Sequence, residues 1–285
     1  MSRFLRITIL CIACAACRSN GFLPEEVISG LRVLAVTAEP PEIAAGESTT
    51  MTALAVDITG TPITIDWAAC TLAAAPGQTG ANPKCITNPT ADYLIQVGSK
   101  VPSSQPVPFV MPMVQMSQLG GPDQSDGFYL PIRLEAAADM DTVTAVYNLR
   151  YFTGLQPRNH NPTIASVDIG GDLGATAIVE GTPGDVPAGG MISLSSTFTA
   201  DSIESYPVLV ISSTGPPTMK MRTEELGTDW FVTAGDVSPT STAPLDANTT
   251  LDLSKVTAGT KFDIYLVAHD DRGGTSTAHR ELIAR

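Results

Sequence analysis

Apolar and polar residues alternate with a period of two in short runs, and glycine, proline, asparagine or aspartate closes each run. Ile63, Ile65 and Trp67 alternate with Thr64 and Asp66, which places the three large side chains on one buried face of a strand. Val143, Ala145, Tyr147, Leu149 and Tyr151 alternate with Thr142, Thr144, Asn148 and Arg150. The same pattern sets Ile192, Leu194 and Phe198 against Ser193, Ser195 and Thr197, and Phe262, Ile264, Leu266 and Ala268 against Asp263, Tyr265 and Val267. Further short strands are predicted over 31–38, 49–56, 128–134, 163–169, 208–211, 219–222, 229–232, 249–253 and 276–283. No segment holds a 3.6-residue period over three turns. The fold class expected is therefore all-β, built as sandwiches.

Two proline-broken stretches, 71–90 and 98–127, interrupt the strand pattern and read as long irregular excursions. A composition shift at 154–162, centred on Gln156-Pro157-Arg158-Asn159-His160-Asn161-Pro162, predicts a boundary between one domain over 31–155 and a second over 160–285. Residues 17–30 lack periodicity and read as a tether. The halves look related. Glu42-Ile43-Ala44-Ala45-Gly46-Glu47 leads into a Thr-rich strand, Asp185-Val186-Pro187-Ala188-Gly189-Gly190 leads into a Ser/Thr-rich one, and each half carries a single later tryptophan, Trp67 or Trp230. A buried tryptophan on a central strand is a hallmark of the immunoglobulin sandwich.

Composition narrows the function classes. The 24 glycines and 22 prolines among 285 residues argue against a helical bundle. With 16% charged and 43% hydrophobic residues the chain is not a disordered one. A formal charge of −13 argues against nucleic acid and against a polybasic membrane surface as partners.

The N-terminus has the layout of a secretory signal over 1–16: Arg3 and Arg6, then a ten-residue apolar run from Ile7 to Ala16. This run is too short for a spanning helix, which needs about 20 apolar residues. Cys14-Ala15-Ala16-Cys17 resembles the lipobox of a bacterial lipoprotein, with Cys14 where an aliphatic residue is usual. The resemblance implies cleavage before Cys17 and diacylglycerol on its sulfur, with Cys14 as the alternative, and a membrane partner reached through lipid. Arginine at position 18 favours the outer membrane. With those cysteines set aside, Cys70 and Cys85 remain, and an even pair in an exported protein reads as a disulfide.

Leu31-Arg32-Val33-Leu34-Ala35-Val36-Thr37-Ala38-Glu39-Pro40-Pro41-Glu42, followed by Ala45-Gly46-Glu47, is similar to the start of many uncharacterised bacterial surface lipoproteins. Trp67-Ala68-Ala69-Cys70 resembles their Trp-Cys strand. Asp270-Asp271-Arg272-Gly273-Gly274-Thr275-Ser276 and Trp230-Phe231-Val232-Thr233-Ala234-Gly235 resemble the closing hairpin and central strand of PKD-like, immunoglobulin-like modules. The resemblance implies tandem immunoglobulin-like domains on an exported lipoprotein and no particular activity.

Residues that could carry chemistry are few. There is no G-x-S-x-G, and histidine occurs only at His160, His269 and His279. His269, Asp270, Asp271 and His279 flank one predicted hairpin, so a two-histidine, one-carboxylate site or a loop calcium site can be drawn there. The plainer reading of Asp-Asp-Arg-Gly-Gly is a turn, with Asp capping amides and Gly at positive φ. Glu25-Glu26 and Glu224-Glu225 read as solvated loop charges. No enzymatic activity and no cofactor are expected. The expected function is binding or structural display of a protein or surface polymer through sandwich loops. The alternative is an accessory subunit of an envelope complex docking through 98–127, whose Val110-Met111-Pro112-Met113-Val114-Gln115-Met116 is an edge strand or a contact patch. An extracytoplasmic hydrolase or metal-binding protein ranks third.

Overall fold

The computed structural model describes residues 25–73, 81–114, 119, 127–154, 157–170, 176–210, 216–243 and 248–285. Cys14 and Cys17 lie outside them. The first half runs β1 (Arg32–Glu39), β2 (Glu42–Ile43), β3 (Ser48–Val56), β4 (Thr64–Cys70), the single helical turn α1 (Lys84–Thr87), β5 (Leu94–Pro102), β6 (Val107–Val110), β7 (Phe128–Ala138) and β8 (Asp141–Tyr151). The second half runs β9 (Ile164–Gly170), β10 (Thr176–Ala177), β11 (Gly184–Val186), β12 (Met191–Phe198), β13 (Ser205–Val210), β14 (Thr218–Thr223), β15 (Gly227–Val232), β16 (Asp236–Ser238), β17 (Ser241–Thr242), β18 (Asn248–Asp252), β19 (Lys261–His269) and β20 (Thr275–Ala284).

The halves repeat one pairing scheme. In the first, β1-β3-β6 faces β2-β8-β7-β4-β5; in the second, β10-β9-β12-β18-β16 faces β11-β20-β19-β15-β17. The strands β2 and β11, which open the two similar sequence stretches, each pair in parallel with the last strand of their half, Glu42 with Arg150 and Asp185 with Ile283. Each tryptophan sits opposite a leucine of the neighbouring strand, Trp67 across from Leu134 and Trp230 across from Leu266. This is the strand order of an immunoglobulin-like sandwich, present twice. A separate ribbon, β13-β14, is inserted between β12 and β15 in the second half.

Two apolar cores result. Ile65, Trp67, Leu130, Ile132, Leu134 and Leu149 pack against Val36, Met51, Val107 and Phe109, while Trp230, Val232, Ile264, Leu266 and Leu282 pack against Val167, Ile192, Leu194 and Leu251. The period-two reading placed most of these residues correctly, because one face of each sheet is buried and the other is not. A smaller apolar cluster joins the halves: Ile28, Val56 and Tyr265 are buried with Leu34, Leu54 and Phe231 around them.

Two expectations need correction. Residues 25–30 are not a free tether. Ile28 donates its N–H to the Val232 carbonyl at 2.8 Å, and Val232 donates to Glu26 O at 2.9 Å, so this segment docks on β15 of the second half. The stretch 98–127 is not simply an excursion. Its first part belongs to β5 and β6, and Val107, Phe109 and Met111 are core residues. Prolines mislead there because β6 is a short edge strand, where a missing N–H costs little. Strand β5 has no alternation to read because it is an edge strand on a mixed surface.

Candidate functional site

A buried polar cluster lies where the halves meet, and the turn between β19 and β20 builds it. Asp270 Oδ1 accepts the backbone N–H groups of Arg272 and Gly274, each at 2.8 Å, and Gly273 takes φ +95°. The turn chemistry expected from Asp-Asp-Arg-Gly-Gly is what forms. The turn also drives Arg272 inward, to 1% exposure. There Nε donates to Glu224 Oε1 at 2.6 Å, Nη1 donates to Pro157 O at 3.0 Å, Nη2 donates to Glu204, and the guanidinium lies 4.7 Å from the centre of the Tyr206 ring. A guanidinium suits this place because its planar fork serves several acceptors at once while one face stacks on an aromatic ring.

From Asp270 the network crosses into the first half. Asn159 Nδ2 donates to Asp270 Oδ2 at 3.0 Å, Asn159 N donates to Glu42 Oε1 at 2.6 Å, and Glu42 pairs with the Arg150 guanidinium at 2.9 Å. Asn161 Nδ2 donates to Ala38 O at 2.7 Å, while Asn161 Oδ1 accepts the Thr275 N–H at 2.8 Å. Tyr147 OH reaches Gly273 O at 3.5 Å. The segment expected to mark a boundary is therefore held from both sides by its own side chains. Burial pushes the Glu224 carboxyl up and the Arg272 hydrogen bond opposes it. Burial also raises the Tyr147 and Tyr206 hydroxyls.

Sequence reasoning missed Arg272 as a buried cation and read Glu224 as solvated. Glu224 is buried, whereas Glu225 stays exposed and pairs with Arg222 at 2.9 Å. The available signal was an arginine inside a glycine-rich turn, a costly position for a charge without partners.

The four drawn metal candidates do not converge. His269 stands opposite Thr275 and His279 opposite Tyr265, four ranks away on the β19–β20 ladder, or about 13 Å at strand rise. His279 stacks on Tyr265 at 4.7 Å and bonds Asp263 at 2.7 Å, and His269 faces Asp229 at 3.5 Å. Asp270 is taken up by the turn, and Asp271 accepts from Tyr206 OH at 2.8 Å. Among the described residues no group of three His, Cys, Asp or Glu side chains could hold a metal ion.

The second candidate region is the excursion after β4. Cys70 and Cys85 form a disulfide with Cα atoms 6.1 Å apart, pinning α1 over the outer face of β4. Asn82 Nδ2 donates to Ala73 O at 2.7 Å and Thr71 N donates to Tyr93 O at 2.8 Å, which ties both ends of the loop to the sheet edge. Val110, the last residue of β6, and Met113 just after it are exposed at 60% and 87% while Met111 between them is buried. Part of the Met-rich stretch, from residue 115 on, lies outside the described residues.

No protein-family model matches the chain, and no curated protein does. Among solved structures it is similar to a chimeric titin Z1Z2 carrying a decorin peptide, at 12% identity over 89% of this chain and 98% of that one, with TM-score 0.21. It is also similar to latent PorU from Porphyromonas gingivalis, at 10% identity over 90% and 24%, TM-score 0.23. A third likeness is Drosophila N-cadherin EC1-4, at 8% identity over 88% and 49%, TM-score 0.21. The immunoglobulin-like description rests on the strand order above and not on these superpositions.

Proposed function

We propose that this chain is an exported, non-catalytic protein, lipid-anchored through Cys17 to the cell envelope with the outer membrane favoured, and that it binds or displays through the loops of two sandwich domains over 31–155 and 160–285. The observation that carries this reading is the Cys70–Cys85 disulfide. A bridge of this kind persists in oxidising compartments, and here it fixes an irregular loop over a sheet face, a place where binding residues concentrate in sandwich folds. The N-terminal layout of Arg3, Arg6, the apolar run and Cys17 supplies the route and the anchor. Two or three acyl chains, at about 0.8 kcal/mol per buried CH₂, hold a protein on a bilayer without help from charge.

Metabolic labelling with palmitate tests the anchor. Wild type is expected to carry label and Cys17→Ser to lose it; a Cys17→Ser chain that still takes up label overturns the assignment. For display, capture from an envelope extract compares the wild type with a chain lacking residues 71–90, and an unchanged partner set overturns the role given to that loop. A second reading, docking of an envelope complex through 98–127, draws on exposed Val110 and Met113. It expects Met113→Asp to abolish capture while the 71–90 deletion leaves it intact.

A further inference from the structure

The ribbon β13-β14 stands outside both sandwiches. Among the described residues its strands pair only with each other, in unbroken register from Ser205 opposite Thr223 to Val210 opposite Thr218. One face is turned to the molecule: Tyr206 and Val208 are buried, and Tyr206 donates to Asp271 and stacks on the Arg272 guanidinium. The ranks between carry Pro207 opposite Met221 and Leu209 opposite Met219, so these side chains share the other face. There Leu209, Met219 and Met221 are exposed at 37%, 56% and 67%. A two-stranded ribbon is marginal by itself in water, and a third strand is what completes such a sheet.

The outer edge of β14 differs from the other sheet edges among the described residues. Strand β5 is interrupted by Lys100 at φ +49° and by slips in its pairing, and it ends on Pro102. Strand β6 carries Pro108, β1 slips between Val33 and Ala35, and β2, β10, β11, β16 and β17 are two or three residues long. Shortness, bulges and proline are the devices that keep an edge from pairing with another chain. In the ribbon itself β13 has Pro207. Strand β14, Thr218–Thr223, has neither proline nor slip. Every second residue of it points its N–H and C=O away from β13. No backbone bond among the described residues takes those groups up.

Charge selects the partner. Lys220 and Arg222 are the charged residues of β13 and β14, in a chain whose formal charge is −13. Arg222 pairs with Glu225 at 2.9 Å and with Asp271 at 3.1 Å, whereas Lys220 is exposed and has no ion pair among the described residues. A lysine on an edge repels unwelcome strands, and an acidic residue opposite it turns that guard into a contact. Along β14 the lysine stands between Met219 and Met221, so the complementary strand has an acidic residue between apolar ones. A second copy of this chain fits less well. Laid antiparallel on itself about a two-fold axis, β14 sets Lys220 opposite Lys220 or Arg222, and like charges directly opposite are destabilising.

We propose that the free edge of β14 takes up an extended peptide in which an acidic residue is flanked by apolar ones, the peptide becoming the third strand of the ribbon. Its backbone pairs with β14, its apolar side chains extend the face of Leu209, Met219 and Met221, and its carboxylate pairs with Lys220. In strand addition of this kind main-chain bonds give affinity and alternate side chains give specificity. The site goes beyond the loop binding proposed above and uses neither Cys17 nor residues 71–90.

Isothermal calorimetry on the full chain in detergent tests the proposal with the end-capped peptide Thr-Val-Glu-Val-Glu-Thr and its counterpart Thr-Val-Lys-Val-Lys-Thr. The acidic peptide is expected to bind about fivefold more tightly or better. Lys220→Glu should reverse that preference, and an unchanged urea midpoint certifies the fold of the variant. Two N-methylated forms of the acidic peptide read the backbone. Methyl groups on both valines or on both glutamates block opposite edges of the strand, so one form should lose binding and the other keep it. No binding of the acidic peptide at about 1 mM, a preference that survives Lys220→Glu, or equal binding by both N-methylated forms overturns the proposal. A dimer in light scattering that disappears on Lys220→Pro assigns the edge to a second copy and overturns the choice of partner. Peptide binding is expected to be unchanged in Cys17→Ser, so failure of the anchor and failure of this site are read separately.

Discussion

Strands β4 and β15 hold the same place in two sandwiches of the same design, and each buries a tryptophan against a leucine of the next strand. They differ in what covers the other face. Over β4 the cover is local, an excursion of the same half tied down by Cys70–Cys85, so that Ala68 and Cys70 are buried along with Ala69. Over β15 and β19 the cover comes from elsewhere in the chain: Ile28, Leu34, Leu54 and Val56 surround Phe231 and Tyr265, and Arg32 lies 5.4 Å from the Phe231 ring. A covalent staple makes the first cover independent of the rest of the molecule. The second exists only while the halves stay together, which is the task of the buried polar junction around Arg272.

The sharpest way to break the comparison is Arg272→Ala. It strands Glu224 and Glu204 beside Asp270 without a cation, and breaking a buried pair from one side costs about 3–5 kcal/mol. Urea unfolding should show the loss. Hydrogen exchange should show it first at Ile28 and Val232, while residues 64–70 stay protected. Protection lost equally in β4 would mean that the first cover is not independent. Replacing Glu204 and Glu224 by glutamine along with Arg272→Met should restore much of the stability, because the unpaired charges go with the arginine.

Next comes the staple. The Cys70→Ala, Cys85→Ala chain frees a loop with a sequence separation of 15, worth about 3 kcal/mol by loop-closure entropy. The damage should appear in β4 and α1 and spare β15, the mirror image of the Arg272→Ala pattern. Smaller again is Ile28→Ala, about 2 kcal/mol at the low end for a buried isoleucine. It should loosen β15 on exchange without moving the Cys70–Cys85 region. An Ile28→Ala chain as stable as wild type would show that the docked N-terminal segment contributes nothing to the second cover.

The sequence spoke most clearly where one sheet face is wet. The alternations around Trp67, Leu149, Leu194 and Leu266 are period two because only one face needs apolar residues, and they located β4, β8, β12 and β19. In β19, Tyr265 and Val267 also read as alternate polar-face positions, yet they are buried. The partner covering them lies more than 200 residues away, so no local pattern could announce it. The disulfide was legible from the even pair of cysteines left once the N-terminal ones were set aside, read with the expectation of export. The junction was not: Glu42, Asn159, Glu204, Glu224 and Arg272 are scattered polar residues whose meeting depends on how two domains dock. The same holds for the Asp66–Glu135 pairing, which depends on strand register.

The last difference between the two strands is electrostatic, and its effect is the smallest. All three histidines belong to the second half, and His269 at the end of β19 faces Asp229 on β15 at 3.5 Å. Gly227 permits this, since a Cβ there would sit 2.5 Å from the His269 ring. The hydrogen bond to Asp229 raises His269 above its usual 6.5 against the opposing effect of burial, and the same bond lowers Asp229 below 3.8. The raised histidine contributes stability that is fully present below about pH 6.5 and lost as pH rises through its folded value. The lowered aspartate contributes stability present above about pH 4 and lost as pH falls through its own folded value. Both contributions are therefore in force between about pH 4 and 6.5. The two side chains are 48% and 35% exposed, so solvent screening keeps the effect below those of the three substitutions above. Thermal melts from pH 6 to 8 should show a shallow fall in wild type and none from this source in His269→Gln. Exchange followed over the same range should change at 227–232 and not at 64–70, because β4 has no histidine beside it. A fall of equal depth in His269→Gln would place the titrating group elsewhere and remove this last distinction between the two strands.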